Sequence, residues 1–431
     1  MRKFISLFAI VLSFVNFIFS FDLFSSRVFE MKAEAPMSVS NNLFSLNKLL
    51  VKDLVIDFAE IADDVSEKGF DTVFKINPSL SSKLNFDKVA VGSKIGTDIY
   101  LKISLAQDFF KFIGNGYKAG DTVNLSFKAD MDICSYMDFP IDVKIGKFKF
   151  SLTPSIFLPL IYLEDVYTKG SFSNGDDGKL KAVLDTKYKV LVSSSLYDVD
   201  KDSKLDLYPF EEISKYKLLG FDLSGSFEFP IINKLNLIVA GHFPIIPGRL
   251  NQRINYTEAY TNYEASVMGL IGGSNQGSNN TSSGSLPSNQ YEYVNYGENW
   301  VSTGHGLRME RLNSPFFVNR PLEFSVYAIY RPFNFLDVVA GGGIDIEHAF
   351  DSGDPSCYPE YYAGVTASLF NILKATISTE YKDRIFKHEA VGILNLKIIQ
   401  INVGISMESG EFLKSFNASG LGFYITSLLG F

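Results

Sequence analysis

Cysteine and histidine are scarce in this chain. Its 431 residues include 2 cysteines and 4 histidines. So few cysteines exclude a disulfide framework and a CxxC-type metal site, and the scattered histidines leave little material for a metal centre. We therefore expect the protein to bind no metal and no cofactor.

Positive charge is also in short supply. The formal net charge is -8, from 40 Lys and Arg against 48 Asp and Glu. This balance argues against a nucleic-acid partner, because phosphate binding needs a basic surface. Tryptophan occurs once, whereas Tyr occurs 22 times and Phe 39 times. Such an aromatic-rich composition favours strands over helices.

Long apolar runs are missing after residue 20. Before it, Arg2 and Lys3 precede an apolar stretch from Phe4 to Phe19, and Ser20 is small enough to stand before a cleavage site. This layout predicts a secretory signal peptide over residues 1–20. A membrane-anchoring helix is the alternative, but the run is shorter than the roughly 20 residues needed to span a bilayer. We expect the mature chain to begin near Phe21.

Alternation of apolar and polar residues with a period of two dominates the C-terminal half. In the segment 399–408, one face is apolar and comprises Ile399, Ile401, Val403, Ile405 and Met407. The other face is polar and comprises Gln400, Asn402, Gly404, Ser406 and Glu408. The segments from Leu373, Leu336 and Val123 show the same division. This pattern predicts strands, although a soluble β-sandwich would also produce it.

Three further features favour a transmembrane barrel over a sandwich. The strands run to about ten residues, enough to cross a bilayer at barrel tilt, whereas soluble strands average about five to six. The connections alternate between short and long, as they do in barrels. The last alternating strand ends in an aromatic residue and resembles the signal that the barrel assembly machinery reads. We assign this assembly signal to Phe431, Leu429 and Phe423.

The predicted fold is all-β, a transmembrane antiparallel β-barrel of about 14 strands, with 12 to 16 as the range. It occupies residues 71–431, with the apolar face toward lipid and the charged face toward the lumen. We place strands at 72–86, 88–104, 121–136, 143–162, 180–197, 217–229, 234–246, 322–331, 336–347, 360–370, 373–382, 387–396, 399–408 and 417–431.

Residues 21–70 precede the first clear strand and contain apolar residues at helical spacing from Leu50 to Val65. We predict a short N-terminal helical plug, or hatch; a helix on the barrel rim is the alternative. A second short helix is expected between Leu105 and Ile113. The residues that we expect to line a ligand pathway are Leu54, Phe58, Phe109, Phe110 and Phe112.

The longest connection, residues 247–320, is predicted to be an extracellular loop. Its segment 273–285 is a low-complexity run of Gly, Ser and Asn. Apolar groups flank this run at 267–271 and 315–318. They either pack on the barrel mouth or offer a landing site for a hydrophobic ligand.

Several motifs resemble the FadL/TraF-like outer-membrane barrels of spirochaetes and related bacteria, many of unassigned function. The motifs are Asn41-Asn42-Leu43-Phe44-Ser45-Leu46, Leu54-Val55-Ile56-Asp57-Phe58, Ile103-Ser104-Leu105, the stretch from Asp108 to Gly116, and Gly220-Phe221-Asp222-Leu223. The resemblance covers most of the chain. It implies a barrel of about fourteen strands with an N-terminal hatch that passes small hydrophobic molecules. The charged lumen departs from the fatty-acid transporters.

Enzymatic and metal-binding motifs are weak. The histidines His242, His305, His348 and His388 fall in separate elements, so a hydrolase site is not expected. The acidic run from Asp198 to Asp206 imitates a calcium loop but has Ser203 in place of the required Gly. Cys134 and Cys357 could pair in an oxidising compartment, but their connectivity cannot be read from the sequence.

Three functions remain open. The first is an outer-membrane channel, gated by the hatch, for passive uptake of small hydrophobic or amphipathic molecules. The second is a general diffusion porin, and the third is a surface adhesin or structural protein. The expected partners are outer-membrane lipid, the barrel assembly machinery and a small hydrophobic ligand. The solute and the oligomeric state are not determined by the sequence.

Overall fold

The structure, a computed structural model, consists mainly of long antiparallel strands. It describes residues 27–43, 58–65, 69–115, 122–174, 179–196, 209–266, 301–302, 307–350, 355–369, 372–382, 384–416 and 419–431. The expected signal peptide, the acidic run 198–206 and the low-complexity run 273–285 lie outside these residues.

Helices are few and short in the described residues. They are α1 (Phe58–Asp64), α2 (Gln107–Asn115), α3 (Pro209–Tyr216) and α4 (Phe412–Ser415). Across the same ranges, no helix has both the length and the apolar character to span a membrane.

The strands form one continuous antiparallel system. The first eleven are β1 (Phe29–Glu34), β2 (Met37–Asn41), β3 (Phe70–Ile76), β4 (Ser79–Asn85), β5 (Val89–Leu105), β6 (Thr122–Asp138), β7 (Ile141–Ile145), β8 (Phe148–Asn174), β9 (Lys179–Val192), β10 (Gly220–Ile232) and β11 (Leu235–Ile246). The others are β12 (Gly248–Ser266), β13 (Val301–Ser302), β14 (Leu307–Val318), β15 (Leu322–Phe333), β16 (Leu336–Glu347), β17 (Ser356–Leu369), β18 (Leu373–Lys382), β19 (Ile385–Asn395), β20 (Ile399–Ser409) and β21 (Gly420–Gly430).

These pieces make a closed barrel of 14 strands, which confirms the predicted fold class. Several barrel strands consist of two collinear pieces. Barrel strands 1 to 8 are β1 with β2, β3 with β4, β5, β6 with β7, β8, β9 with β10, β11 with β12, and β14 with β15, and barrel strands 9 to 14 are β16 to β21. Closure comes from β21, which pairs with β20 on one side and with β1 and β2 on the other. A closed sheet has no free edge and pairs its backbone groups internally, as lipid requires.

Proline explains why the first strands are split. Pro36, Pro78 and Pro140 have no N–H to donate, so each removes one hydrogen bond of its ladder rung. Each proline carbonyl still accepts a backbone N–H from the neighbouring strand, at 3.1, 3.1 and 2.9 Å. The register is therefore the same on both sides of each break.

The two ends of the barrel differ. At one end, the turn end, short connections join consecutive barrel strands, and both Phe29 and Phe431 lie there. Two of these turns place a residue in the left-handed region, Gly146 at φ 63° and Lys397 at φ 70°. The opposite end, the loop end, carries the long connections and all four helices. Short turns on one side and long connections on the other are typical of outer-membrane barrels.

The burial pattern is the reverse of that of a soluble protein. On β20, Ile401 and Val403 are 39% and 54% exposed, whereas Asn402 between them is 7% exposed. On β18, Ile377 is 70% exposed and Ser378 is 8% exposed. The apolar face thus lies outside and the polar face lines the lumen, which confirms the assigned phase and marks the barrel as transmembrane.

The count of fourteen is right, but two of the strands that make it up were assigned wrongly. The range 21–70 was expected to precede the barrel, yet β1 and β2 form barrel strand 1 within it. The break at Pro36 divides that strand into pieces too short to show alternation. Conversely, the predicted strands 180–197 and 217–229 lie end to end along one edge of β8 and form a single barrel strand.

The predicted loop 247–320 is also wrong at its two ends. Its first part is β12 and its last part is β14, and the two pair with each other. These strands continue beyond the barrel rim, where no lipid dictates an apolar face. Polar residues interrupt the apolar ones on the faces of both strands, so they lack a sustained period-two signal.

Candidate functional site: the lumen and its outer mouth

A recess in the lumen wall lies where barrel strands 11 to 14 meet barrel strands 1 and 2. Its cavity volume is about 160 Å³, and it is open on one side. Its charged lining residues are Lys75, Glu380, Lys382, Lys387, Glu389 and Glu408. Tyr424 adds an aromatic ring beside them. The wall can therefore hold polar and charged groups of a solute.

Many of these charges are paired, either within one strand or across strands. Lys387 Nζ lies 3.0 Å from Glu389 Oε1. Lys382 Nζ lies 2.9 Å from Glu323 Oε1 and 3.1 Å from Glu360 Oε1. Burying an unpaired charge would cost several kcal/mol (roughly). Pairing therefore allows charged side chains to line the wall.

One group of carboxylates has a spacing that suits a cation. Oxygens of Glu323, Asp345 and Glu360 lie within 4.8 Å of one another. The ammonium group of Lys382 contacts two of the three, so the protein itself supplies a cation at this place. No sequence pattern indicates this group, because its members come from three separate strands.

A second charged group surrounds Arg320, in the break between β14 and β15. Arg320 Nη1 lies 3.4 Å from Asp222 Oδ2 and 3.8 Å from Asp138 Oδ1, and it donates to Ser155 Oγ at 3.0 Å. His242 Nε2 approaches the same Asp222 oxygen at 3.3 Å. Sequence reasoning missed this group, although Asp222 belongs to one of the motifs that carried the family resemblance.

Helices α1 and α2 pack together at the loop end. Ala62 of α1 and Val65, directly after the helix, form an apolar cluster with Phe110 of α2. The cluster is completed by Leu43, Ile61, Phe70, Leu105 and Phe109. Phe109 and Phe110 meet edge to face at 5.4 Å, and Phe70 and Phe110 do so at 5.8 Å.

Of the residues predicted to line a ligand pathway, the structure brings Phe109 and Phe110 into this cluster. Phe58 lies at the start of α1 and Phe112 in α2. Leu54 lies outside the described residues. Their role in a pathway stays a prediction.

Above barrel strands 5 to 8, strand pairing continues beyond the rim. We call this part the outer extension; it comprises β9, β12, β14 and the segment 161–174 of β8. Its buried centre contains Leu191, Leu250 and Val318. The rings of Tyr162 and Phe316 stack against it, 5.2 Å apart. Phe316 and Val318 belong to the apolar segment 315–318, which was expected to pack on the barrel mouth or to receive a hydrophobic ligand.

The residues of the assembly signal lie on the outer face of β21. Phe423, Leu429 and Phe431 are 58%, 45% and 76% exposed. Phe431 contacts Phe29 of the first strand, with ring centroids 5.6 Å apart. Their recognition by the assembly machinery stays a prediction.

One histidine contacts a serine. His388 Nε2 lies 2.8 Å from Ser415 Oγ. The hydroxyl of Ser415 donates to the carbonyl of Phe412, and the residue is buried. It is therefore oriented as an acceptor from the ring, not as a nucleophile. Cys134 and Cys357 are both free thiols, so they do not pair.

No family model and no curated protein matches the chain. Among solved structures, it is similar to the toluene transporter TodX of Pseudomonas putida, with 9% identity, a TM-score of 0.46, and coverage of 96% of this chain and 93% of TodX. For the toluene transporter TbuX of Ralstonia pickettii, the identity is 8% and the TM-score is 0.44, with coverage of 95% of this chain and 91% of TbuX. For the monoaromatic hydrocarbon channel CymD, the identity is 7% and the TM-score is 0.42, with coverage of 95% of this chain and 90% of CymD.

The resemblance to FadL/TraF-like barrels rests on the sequence motifs. The substrates in these names are properties of those proteins. The fold of this chain rests on its own strand pairing.

Proposed function

We propose that the protein is an outer-membrane channel for passive uptake of small hydrophobic or amphipathic molecules, closed at its outer mouth by a hatch. The observation that carries the proposal is the apolar cluster between α1 and α2. Clustered aromatic and aliphatic side chains are what a site for an apolar ligand needs. A water-filled pore has no evident need for them.

The polar side chains of the lumen narrow the class of solute that we expect the channel to carry. Below the helix pair, the recess wall carries Lys75, Lys387, Glu389 and Glu408. A pure hydrocarbon would displace water from these groups without offering them hydrogen bonds, which costs free energy. A molecule with an apolar body and a polar head would satisfy both zones. Amphipathic solutes therefore fit the proposed channel better than hydrocarbons.

The hatch is confined to the connection between β2 and β3, because the residues before it form barrel strand 1. The test replaces residues 44–66 by a short Gly/Ser linker, which removes α1 and leaves β2 and β3 intact. Reconstituted full-length protein should show little steady conductance, and the variant should conduct strongly through its hydrated lumen. Deletion of residues 273–285 is the matched control and should leave conductance low.

A general diffusion porin is the second candidate, favoured by the ion pairs along the lumen wall. It would conduct salt at once and change little on replacement of residues 44–66. Uptake of a labelled fatty acid by cells that carry the intact protein would support the first candidate. High conductance without such uptake would support the porin.

A further inference from the structure

The recess in the lumen wall has a floor of small side chains. Ser38, Gly422 and Ser406 stand directly opposite one another on barrel strands 1, 14 and 13. A Cβ on Gly422 would collide with Ser406 Oγ and lie 2.7 Å from Glu408 Oε1, so glycine leaves both groups their place. The cavity of about 160 Å³ far exceeds the roughly 10–15 Å³ that one water molecule needs. A polar head group can therefore enter it.

Opposite charges stand at the two sides of this floor. The row of directly opposed residues continues from Ser38 to Lys75 on strand 2, and from Ser406 to Glu389 on strand 12. Both charged residues line the recess. Their backbones are four strand spacings apart along the wall, or about 19 Å. The recess thus has a positive side and a negative side with small residues between them.

The side formed by strands 11 to 13 is acidic. Lys387 stands directly opposite Glu380 on one neighbouring strand and Glu408 on the other. Its Nζ also lies 3.0 Å from Glu389 Oε1. Three carboxylates therefore surround one ammonium group, and this side keeps an excess of negative charge. A cationic group of a ligand would be stabilised here.

Lys382, at the edge of the recess, leaves this excess in place. Its Nζ contacts Glu323 at 2.9 Å and Glu360 at 3.1 Å. Neither of these carboxylates lines the recess. The charge of Lys382 is therefore matched by groups outside it.

The side formed by strands 1 and 2 is basic. Of the recess residues that the structure describes on these strands, Lys75 alone carries a charge. Its Nζ lies over the ring of Tyr100, 5.8 Å from the centroid. The same strand begins at the loop end with Phe70, which packs in the apolar cluster of α1 and α2. A ligand bound at Lys75 can therefore extend an apolar body toward that cluster.

We propose that the recess binds the zwitterionic head of an amphipathic solute. Its ammonium group lies toward Glu380, Glu389 and Glu408, and its anionic group lies toward Lys75. A simple amine or a simple acid uses one side of the recess, whereas a zwitterion uses both. As a statement about the cargo, this inference rests on the proposed channel function; the binding itself does not depend on transport.

The first test compares three probes that share one hexyl chain. At pH 7, 2-aminooctanoate is zwitterionic, octanoate is anionic and heptylamine is cationic. Their binding to the full-length protein in lipid nanodiscs is measured by calorimetry, with empty nanodiscs as the blank. The zwitterion should bind roughly tenfold more tightly than either other probe, the change expected from one charge-assisted hydrogen bond. Equal or weaker binding of 2-aminooctanoate would overturn the proposal.

Two substitutions assign the sides of the recess. Lys75→Gln should weaken binding of 2-aminooctanoate and octanoate roughly tenfold and leave heptylamine unchanged. Glu389→Gln should weaken 2-aminooctanoate and heptylamine and leave octanoate unchanged. Lys374→Gln lies on the same wall, nearer the turn end and outside the recess, and should leave all three affinities unchanged.

A uniform loss for all three probes in Lys75→Gln and in Glu389→Gln would overturn the assignment of the two sides. Heat-modifiable mobility on gels shows whether each variant has assembled. Glu380→Gln replaces Glu389→Gln if the latter does not assemble, and the probe comparison on the parent chain needs neither variant.

Uptake separates the binding site from the channel. Cells that carry the intact protein should take up labelled 2-aminooctanoate faster than cells that lack it, and Lys75→Gln should slow this uptake. Preferential binding of the zwitterion without uptake would count against the proposed function alone. Uptake of a labelled fatty acid, without preference for the zwitterion in binding, would overturn this inference and leave the proposed function in place.

Discussion

Barrel strands 9 to 14 and barrel strands 5 to 8 share one ladder but differ in how far they reach. The former end at the rim, and their residues mostly alternate between an exposed apolar face and a more polar inner face. The latter cross the bilayer and then continue into the outer extension. Lipid imposes alternation only where it touches the wall. The alternation of apolar and polar residues therefore identifies strands 9 to 14, whereas in strands 5 to 8 the pattern changes where they leave the bilayer.

The difference also separates two kinds of stability. Strands 9 to 14 are joined by uninterrupted hairpin pairing. Strands 5 to 8 depend at the rim on side chains, above all on the contacts of Arg320. Regular ladders resist local opening, whereas a break held by side chains is where a fold can move.

The largest effect is expected from removal of the closing strand. Deletion of residues 420–431 removes β21, so both β20 and the first strand lose their partner. The barrel should fail to assemble, and heat-modifiable mobility on gels should disappear. Deletion of residues 273–285 should preserve that mobility. Retained mobility without β21 would mean that closure does not need it.

The next largest effect is expected at lipid-facing positions of strands 9 to 14. Arg in place of Ile377 or Val403 should cost about 2–4 kcal/mol, because both face lipid. Arg in place of Ser378 or Asn402 projects into the lumen and should be tolerated. Denaturant unfolding in lipid vesicles measures the difference. Equal losses at both sets of positions would contradict the inside-out assignment.

A smaller effect is expected where the lumen wall is tightly packed. A Cβ on Gly341 would lie 2.3 Å from the carbonyl oxygen of Val326 and 2.4 Å from the ring of Tyr327. Gly341→Ala should therefore cost about 1–3 kcal/mol. At Gly392 the nearest atom would be 3.9 Å away, so Gly392→Ala should change stability by less than about 0.5 kcal/mol. Similar unfolding curves for the two variants would contradict this packing.

The smallest effect belongs to an exposed ion pair at the turn end. Arg331 Nε lies 3.2 Å from Asp337 Oδ1, and both side chains are largely solvated. Arg331→Gln should reduce the free energy of unfolding by about 0.2–1 kcal/mol. Salt should abolish the difference, because it screens exposed charges. A loss above 2 kcal/mol (roughly) would show that this pair is not merely a surface contact.

The contrast between strands 9 to 14 and the other strands shows how much of the fold could be predicted from the sequence. Period-two alternation located strands 9 to 14 and the faces of Ile401 and Asn402 correctly, because lipid contact dictates both. It missed strand 1, since Pro36 splits that strand, and it divided strand 6 at the insertion 193–219. The total of fourteen was right because one omission offset one duplication.

The candidate site was predicted less well. The apolar spacing around Phe109 and Phe110 predicted a helix. The packing of this helix against α1 could not be derived from the sequence. The groups around Arg320 and around Lys382 are made of residues from several strands. Their proximity depends on barrel register, which no local pattern encodes. In the outer extension, alternation predicted β9, whereas β12 and β14 were assigned to a loop because neither of their faces lies in lipid.

The seam between barrel strands 1 and 14 has a consequence for the order of folding. Arg27, before the first strand, bonds to Gln400, 373 residues later. Contacts between such distant residues make folding slow, because loop closure must precede their formation. Until β21 arrives, the chain is an open sheet with two exposed edges that can pair with other chains. The eleven-residue strand β21 therefore ends the interval in which the chain depends on protection from aggregation.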